Sequence, residues 1–476
     1  MATVTVPPVT RRRSLGMTMA TALVIGNMIG SGVFLLPAAL GAYGPVSLVA
    51  FGITAIGAIL LALVFARLGQ TYPETGGPYA YSKRAFGDFI GFWQAWGYWI
   101  AAWVGNAAIA VAFVSYLGEY WGTVRHNNIV AALAAVAAIW LCTAINVIGL
   151  RQGGIMQVIT TVIKFIPLLA IGVFGLFYIH ASNFGPFNAS GGSIYGAVTA
   201  AAALTLWSFI GLESATVPAE DVKDPKRTIP LSTIFGTLVT AVVYILGTFV
   251  VFGVLGSAIA AKSGAPFSDA AKIMWGSTGG HIITIAALAA TLGALNGWIL
   301  LQGQIPFAAA RDHVFPKPFL KQTKSGSPWF GLVASSVLVT GLVFFNYNAS
   351  LISQFTFIIL LATLTTLIPY AFSAAAELLL FVTDREAFSA PRLVKDAIVA
   401  GLAFLYTLWT IAGSGYQAVF RGFLLLMAGI PIYVYLKWQA GKDAVPAALD
   451  DQEHPAVLLA EAHVLSVAPA PIAAGD

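Results

Sequence analysis

About twelve apolar runs, each near or above the roughly 20 residues a helix needs to cross a bilayer, dominate this 476-residue chain. They fall near 17–41, 45–68, 89–117, 128–150, 155–179, 193–217, 230–256, 280–306, 329–346, 351–381, 396–413 and 419–437. Only 69–88, 307–328 and the two ends leave room for substantial structure outside a membrane. Within a bilayer the backbone must satisfy its own polar groups, so runs of this length predict an all-α integral membrane protein. Composition agrees. Hydrophobic residues are 58% and charged residues 9% of the chain, against about 25% charged in soluble domains.

Charge placement orients the spans. With the N-terminus cytoplasmic, 19 of the 24 Lys and Arg residues lie inside, four lie outside and Lys164 sits within a span. Such a bias is what orients multi-span proteins. It accounts for a pI near 9.1 without a nucleic-acid partner. The partners expected are the lipid bilayer and a small molecule. Arg11-Arg12-Arg13 before the first run reads as the flank of an uncleaved helix, because the apolar run is too long for a signal peptide. The expected layout is a cytoplasmic segment 1–16, a membrane domain 17–437 and a disordered cytoplasmic tail 438–476.

Two spans carry matching interruptions. Ile29-Gly-Ser-Gly-Val-Phe-Leu-Leu-Pro37-Ala in the first and Ile210-Gly-Leu-Glu-Ser-Ala-Thr-Val-Pro218-Ala in the sixth share Ile, Gly, Pro and Ala in register. Five spans lie between their starts, and an odd number inverts orientation. Paired Gly/Pro breaks in corresponding halves point to the midplane site of an inverted-repeat secondary transporter. The repeats would be 17–179 and 193–381, with extra helices over 396–437. Unwinding at Gly30, Ser31 and Gly32 would free amides for a carboxylate and carbonyls for an ammonium, which suits a zwitterionic amino acid. Close helix packing is the alternative use of such glycines.

Ionisable residues deep in a membrane are costly and mark function by default. Three stand out: Lys164, Glu213 and Glu377. Glu213 lies within the second break, as a titrating group or as a partner for loose amides. Lys164 would occupy a cation position or exchange a proton, so protons are a candidate co-substrate. Glu377, near a span end, reads as snorkelling to the headgroups. Trp207 one turn before the second break, Trp298 among small residues, and Asn106 complete the polar and aromatic candidates. The six histidines are scattered, Cys142 is the lone cysteine, and no Walker-type loop appears, so neither a metal, a cofactor nor an enzyme activity is expected.

Several of these stretches, in order, resemble the amino acid–polyamine–organocation superfamily, in its basic amino acid/polyamine antiporter branch of arginine–agmatine type. They are Gly26-Asn-Met-Ile-Gly-Ser-Gly-Val-Phe-Leu-Leu-Pro37, Gly76-Gly-Pro-Tyr-Ala-Tyr81, Trp99-Ile-Ala-Ala-Trp-Val-Gly-Asn106, Leu206-Trp-Ser-Phe-Ile-Gly-Leu-Glu-Ser-Ala215 and Asp224-Pro-Lys-Arg227. The resemblance implies the fold with five-plus-five inverted repeats and broken helices one and six. It implies that Ser31 and Gly32 hold the substrate carboxylate, and that carbonyls of Met28, Trp207 and Ile210 take its amino group. Asn106, with the backbone at Ala101 and Ala102, would meet a distal guanidinium or amine. Trp207 would stack on the substrate, Trp298 would form a middle gate, and Tyr98, Glu213 and Tyr370 a gate toward the cytoplasm. Tyr79 matches a conformationally sensitive tyrosine.

Ala102, Ile109 and Ala362 depart from the antiporter pattern, where cysteine, methionine and serine stand. Lys164 looks like the lysine of proton-coupled members, which keeps a proton-coupled symporter of neutral amino acids as the alternative to exchange. Family members occur as dimers and as monomers, so the resemblance leaves a homodimer open.

Overall fold

The computed structural model describes residues 15–388 and 390–450, and the first 14 and last 26 residues lie outside that range. Contacts divide the chain into two units, 1–429 and 430–476. In the first unit, α1 (Met17–Met28) and α2 (Ser31–Gly41) share one span, followed by α3 (Val46–Thr71). The short α4 (Pro78–Phe86) precedes the third span, α5 (Asp88–Leu117). One turn, α6 (Thr123–His126), leads into α7 (Asn128–Ile148), and α8 (Leu150–Phe174) makes the fifth. The sixth begins as α9 (Ile194–Leu206), and α10 (Pro225–Leu255) is the seventh. After a turn, α11 (Ser257–Ala260), comes α12 (Pro266–Arg311), kinked at Gly276. Then follow α13 (Trp329–Asn346), α14 (Leu351–Thr383), α15 (Leu393–Gly413) and α16 (Tyr416–Met427).

Among the described residues, eleven helical stretches are long and apolar enough to cross a membrane, and Ile194–Phe209 is a shorter apolar helix. No β-strand occurs among the described residues; Leu15 and Val222 form one isolated bridge. Helix starts follow local chemistry. Asn127 caps α7 by accepting from the amides of Ile129 and Val130 at 3.0 and 3.1 Å, and Ser193 caps α9 through the amide of Gly196 at 3.0 Å. Proline opens α4, α10 and α12, where a missing N–H costs nothing.

Two expectations need correction. Glu377 does not snorkel: its side chain is 0% exposed, and the Arg67 guanidinium grips it with Nε at 2.5 Å from Oε1 and an Nη at 2.8 Å from Oε2. Arg67 also lies 3.4 Å from Asp396, so one cation joins α3, α14 and α15. A buried carboxylate needs such a partner, and Arg67 is 310 residues away in sequence.

In the second unit, described by itself, residues 430–450 belong to α17 (Gly429–Asp450). Helix therefore continues beyond 437, where a disordered tail was expected to begin. Alanine recurs through this stretch and favours helix. Residues 451–476, and the segment 1–14 with its arginine cluster, lie outside the described residues.

Candidate functional site

The first span breaks where predicted. α1 ends at Met28, Ile29 is extended (φ −77°, ψ 91°), and α2 restarts at Ser31. Such a break exposes two sets of backbone groups, the last carbonyls of α1 and the first amides of α2. Gly30 is required by closeness: a Cβ there would meet the Cβ of Ala294 at 2.5 Å. The sixth span breaks too, but its second half is not an α-helix. Past Phe209, residues 210–218 run as turns with bonds from Leu212 N to Phe209 O, Ser214 N to Gly211 O and Thr216 N to Glu213 O. Gly211, at φ +112°, takes a conformation that a side chain would oppose. Pro218 also withholds a donor, so tight turns replace the expected half-helix.

A small cavity lies where the breaks meet. Asn27, Met28, Gly30, Ser31 and Gly32 line it from the first span, Trp207 and Ile210 from the sixth, Ile109 from α5, and Ala294 and Trp298 from α12. Six predicted site residues are thereby brought together: Met28, Ser31, Gly32, Trp207, Ile210 and Trp298. Trp207 Nε1 donates to Ser31 Oγ at 3.2 Å, and Trp298 Nε1 donates to the Asn27 carbonyl at 3.2 Å. Each indole thus tethers one scaffold element to the first-span break.

Three predicted residues lie outside that lining. Ala101, Ala102 and Asn106 are buried on α5 at or before the turn preceding Ile109. Asn106 donates Nδ2 to Gln302 Oε1 at 2.7 Å. Around Glu213 the structure assembles a closed cluster. Tyr98 donates to Oε1 at 2.6 Å, Tyr370 donates to Oε2, and the Gly211 amide donates to Oε2 at 3.1 Å. All three side chains are 0% exposed. Spans three, six and ten therefore converge on one carboxylate.

Lys164 is also fully buried, and its ammonium donates to the carbonyls of Gly26, at 2.8 Å, and Ile29. It closes the C-terminal end of α1, where carbonyls lack helical partners and the helix dipole favours a cation. Tyr79 lies elsewhere. On α4 it donates to Asp312 Oδ2 at 2.7 Å, and Lys83 lies 3.2 Å from the same carboxylate. Burial, then Asp312, pushes the Tyr79 phenol well above its ordinary value, so it stays a proton donor.

Sequence reasoning missed Tyr244, whose hydroxyl donates to the Met28 carbonyl at 2.7 Å, and Asn27, whose Nδ2 donates to Ser214 Oγ at 2.9 Å. A polar group in the middle of an apolar span was the available signal for Tyr244. Asn27 sat in plain view inside the glycine-rich motif.

Comparison with known proteins accords with this architecture. The amino acid permease family model matches residues 15–431. Putrescine transporter PotE of Escherichia coli K12 is 31% identical over 428 residues, covering 89% of this chain and 96% of the relative. The arginine/ornithine antiporter of Pseudomonas aeruginosa is 32% identical over 438 residues, covering 89% and 90%. The cadaverine/lysine antiporter of E. coli K12 is 34% identical over 370 residues, covering 76% and 82%. From the interrupted first and sixth spans to the family match over residues 15–431, this chain is a multi-pass membrane protein belonging to the amino acid permease family of transporters.

Proposed function

We propose that the protein is a secondary active antiporter that exchanges arginine-like cationic amino acids, or the amines derived from them, by alternating access. The observation that carries this reading is the meeting of two interrupted spans at one cavity that two tryptophans help to line. In it the first amides of α2, at Ser31 and Gly32, receive the substrate carboxylate. Carbonyls of Met28, Trp207 and Ile210 receive the amino group, and Asn106 with the backbone at Ala101 and Ala102 receives the distal cation. Trp207 stacks on the aliphatic part of the substrate. Trp298 gates the middle of the path, and the Tyr98–Glu213–Tyr370 cluster closes it on the cytoplasmic side, where Tyr79 on α4 responds to the change. The relatives named putrescine transporter, arginine/ornithine antiporter and cadaverine/lysine antiporter support a cationic cargo. The basic residues on one side support a cytoplasmic location for both termini, in the cell membrane.

One observation favours a second reading. The Lys164 ammonium on the Gly26 and Ile29 carbonyls occupies a cation position at the break, and with Glu213 it would serve proton-coupled symport of neutral amino acids. Proteoliposomes decide between them. Labelled arginine should enter only when arginine, ornithine or putrescine is present inside, whatever the pH gradient. Entry into empty vesicles driven by an inward proton gradient would replace antiport by symport. In the same assay Trp298→Leu should lower exchange by about tenfold or more at equal reconstituted protein, a barrier change of one decade. Unchanged exchange would remove Trp298 from the gate.

A further inference from the structure

A directional chain of hydrogen bonds, begun two helices away, sets which end of the Asn106 amide is left free. It starts at a backbone carbonyl. Thr143 Oγ1 donates its single proton to the Ile139 oxygen at 2.8 Å. Ser336 Oγ lies 2.7 Å from Thr143 Oγ1, so with that proton committed Ser336 must be the donor between them. Ser336 can then only accept from Gln302, whose Nε2 lies 3.0 Å away. The same Nε2 faces the Leu332 carbonyl at 3.4 Å, a group that never donates. Two acceptors on α13 thus fix Nε2 toward that helix and leave Oε1 of Gln302 toward α5, where it takes Nδ2 of Asn106.

The remaining atom, Asn106 Oδ1, is buried and has no hydrogen-bond partner among the described residues. A buried, unpaired carbonyl oxygen is costly and unusual, and a bound donor would relieve it. Its position fits such a donor. Ile109, one turn beyond Asn106 on α5, and Trp298, one turn before Gln302 on α12, both line the cavity. The Asn106–Gln302 pair therefore lies one helical turn along from two residues that line the cavity.

We propose that Gln302 is a charge-selectivity residue, acting through Asn106. By holding Nδ2, and being held by Ser336 and Thr143, it keeps the Asn106 oxygen free for the distal end of the substrate. An ammonium or guanidinium is accepted there, while a group without a donor leaves the oxygen unpaired. This rests on the reading that the substrate's distal group reaches Asn106.

Ornithine and norvaline test it, because they differ only by the distal amine. Their affinities are measured by displacement of labelled arginine on purified protein in nanodiscs. Wild-type protein that binds the two equally fails the cationic reading itself, before any variant is compared. With the preference present, Gln302→Met should lower the ornithine-to-norvaline ratio about tenfold or more, the loss falling on ornithine. Asn106→Ala should do the same, and the double variant should lose no further selectivity. Gln302→Glu, which keeps an acceptor toward Asn106, should retain the preference. An unchanged ratio in Gln302→Met, additive losses in the double variant, or equal losses in Gln302→Glu and Gln302→Met would overturn the proposal. Should Gln302→Met not fold, Ser336→Ala must lower the same ratio, and an unchanged ratio there overturns it.

Discussion

Replacing Lys164 with methionine should reduce transport by about a hundredfold or more, at equal amounts of reconstituted protein. The side chain is fully buried, and its ammonium bonds the carbonyls of Gly26 and Ile29 at the end of α1. Hydrogen bonds to a charged group contribute about 1.5–3 kcal/mol each, and both carbonyls would be left without that donor in a low-dielectric interior. The end of α1 also supplies the Met28 carbonyl and the Asn27 backbone that meets Trp298. Loosening it displaces the substrate side of the break, so the effect falls on transport more than on folding. Methionine is close to lysine in length and apolar, which keeps the volume filled. Exchange within threefold of wild type would show that the ammonium is dispensable to the break.

Removing the Arg67 cation should cost stability on a comparable scale. In Arg67→Met the Glu377 carboxylate stays buried with no positive partner at 2.5 Å. Breaking a buried pair from one side costs about 3–5 kcal/mol, much of it the burden of the abandoned charge. The double variant Arg67→Met/Glu377→Leu removes both charges and should recover most of that loss. Denaturant unfolding in detergent reads the difference as a midpoint that drops in the single variant and returns in the double one. Equal losses in the two would mean that packing at Arg67, rather than charge pairing, holds α3, α14 and α15 together.

The membrane architecture was legible from the chain because bilayer thickness converts directly into run length, at 1.5 Å per helical residue. The break at Gly30 was equally legible, since glycine marks the place where helix and neighbour come close. At the sixth span the same signal located the break but not its form. Gly211, Glu213 and Pro218 lie in a series of tight turns there, and Tyr98 and Tyr370 reach the Glu213 carboxylate from two other spans. The six cavity residues were nameable because they sit on two motifs and two tryptophans, and their family resemblance carried their proposed roles.

Side chains paired across the bundle were a different matter. Glu377 read as a residue reaching for water, and its partner Arg67 lies on another span altogether. Gln302, Ser336 and Thr143 are ordinary polar residues in apolar runs, with nothing in their spacing to connect them. Local physics, the desolvation of backbone and side chains in lipid, determined the number of spans, their orientation bias and the points where two of them break. Which buried charge finds which counter-charge, and which end of the Asn106 amide stays open, only the tertiary structure decided, because those choices depend on contacts between helices that sequence neighbours neither make nor constrain.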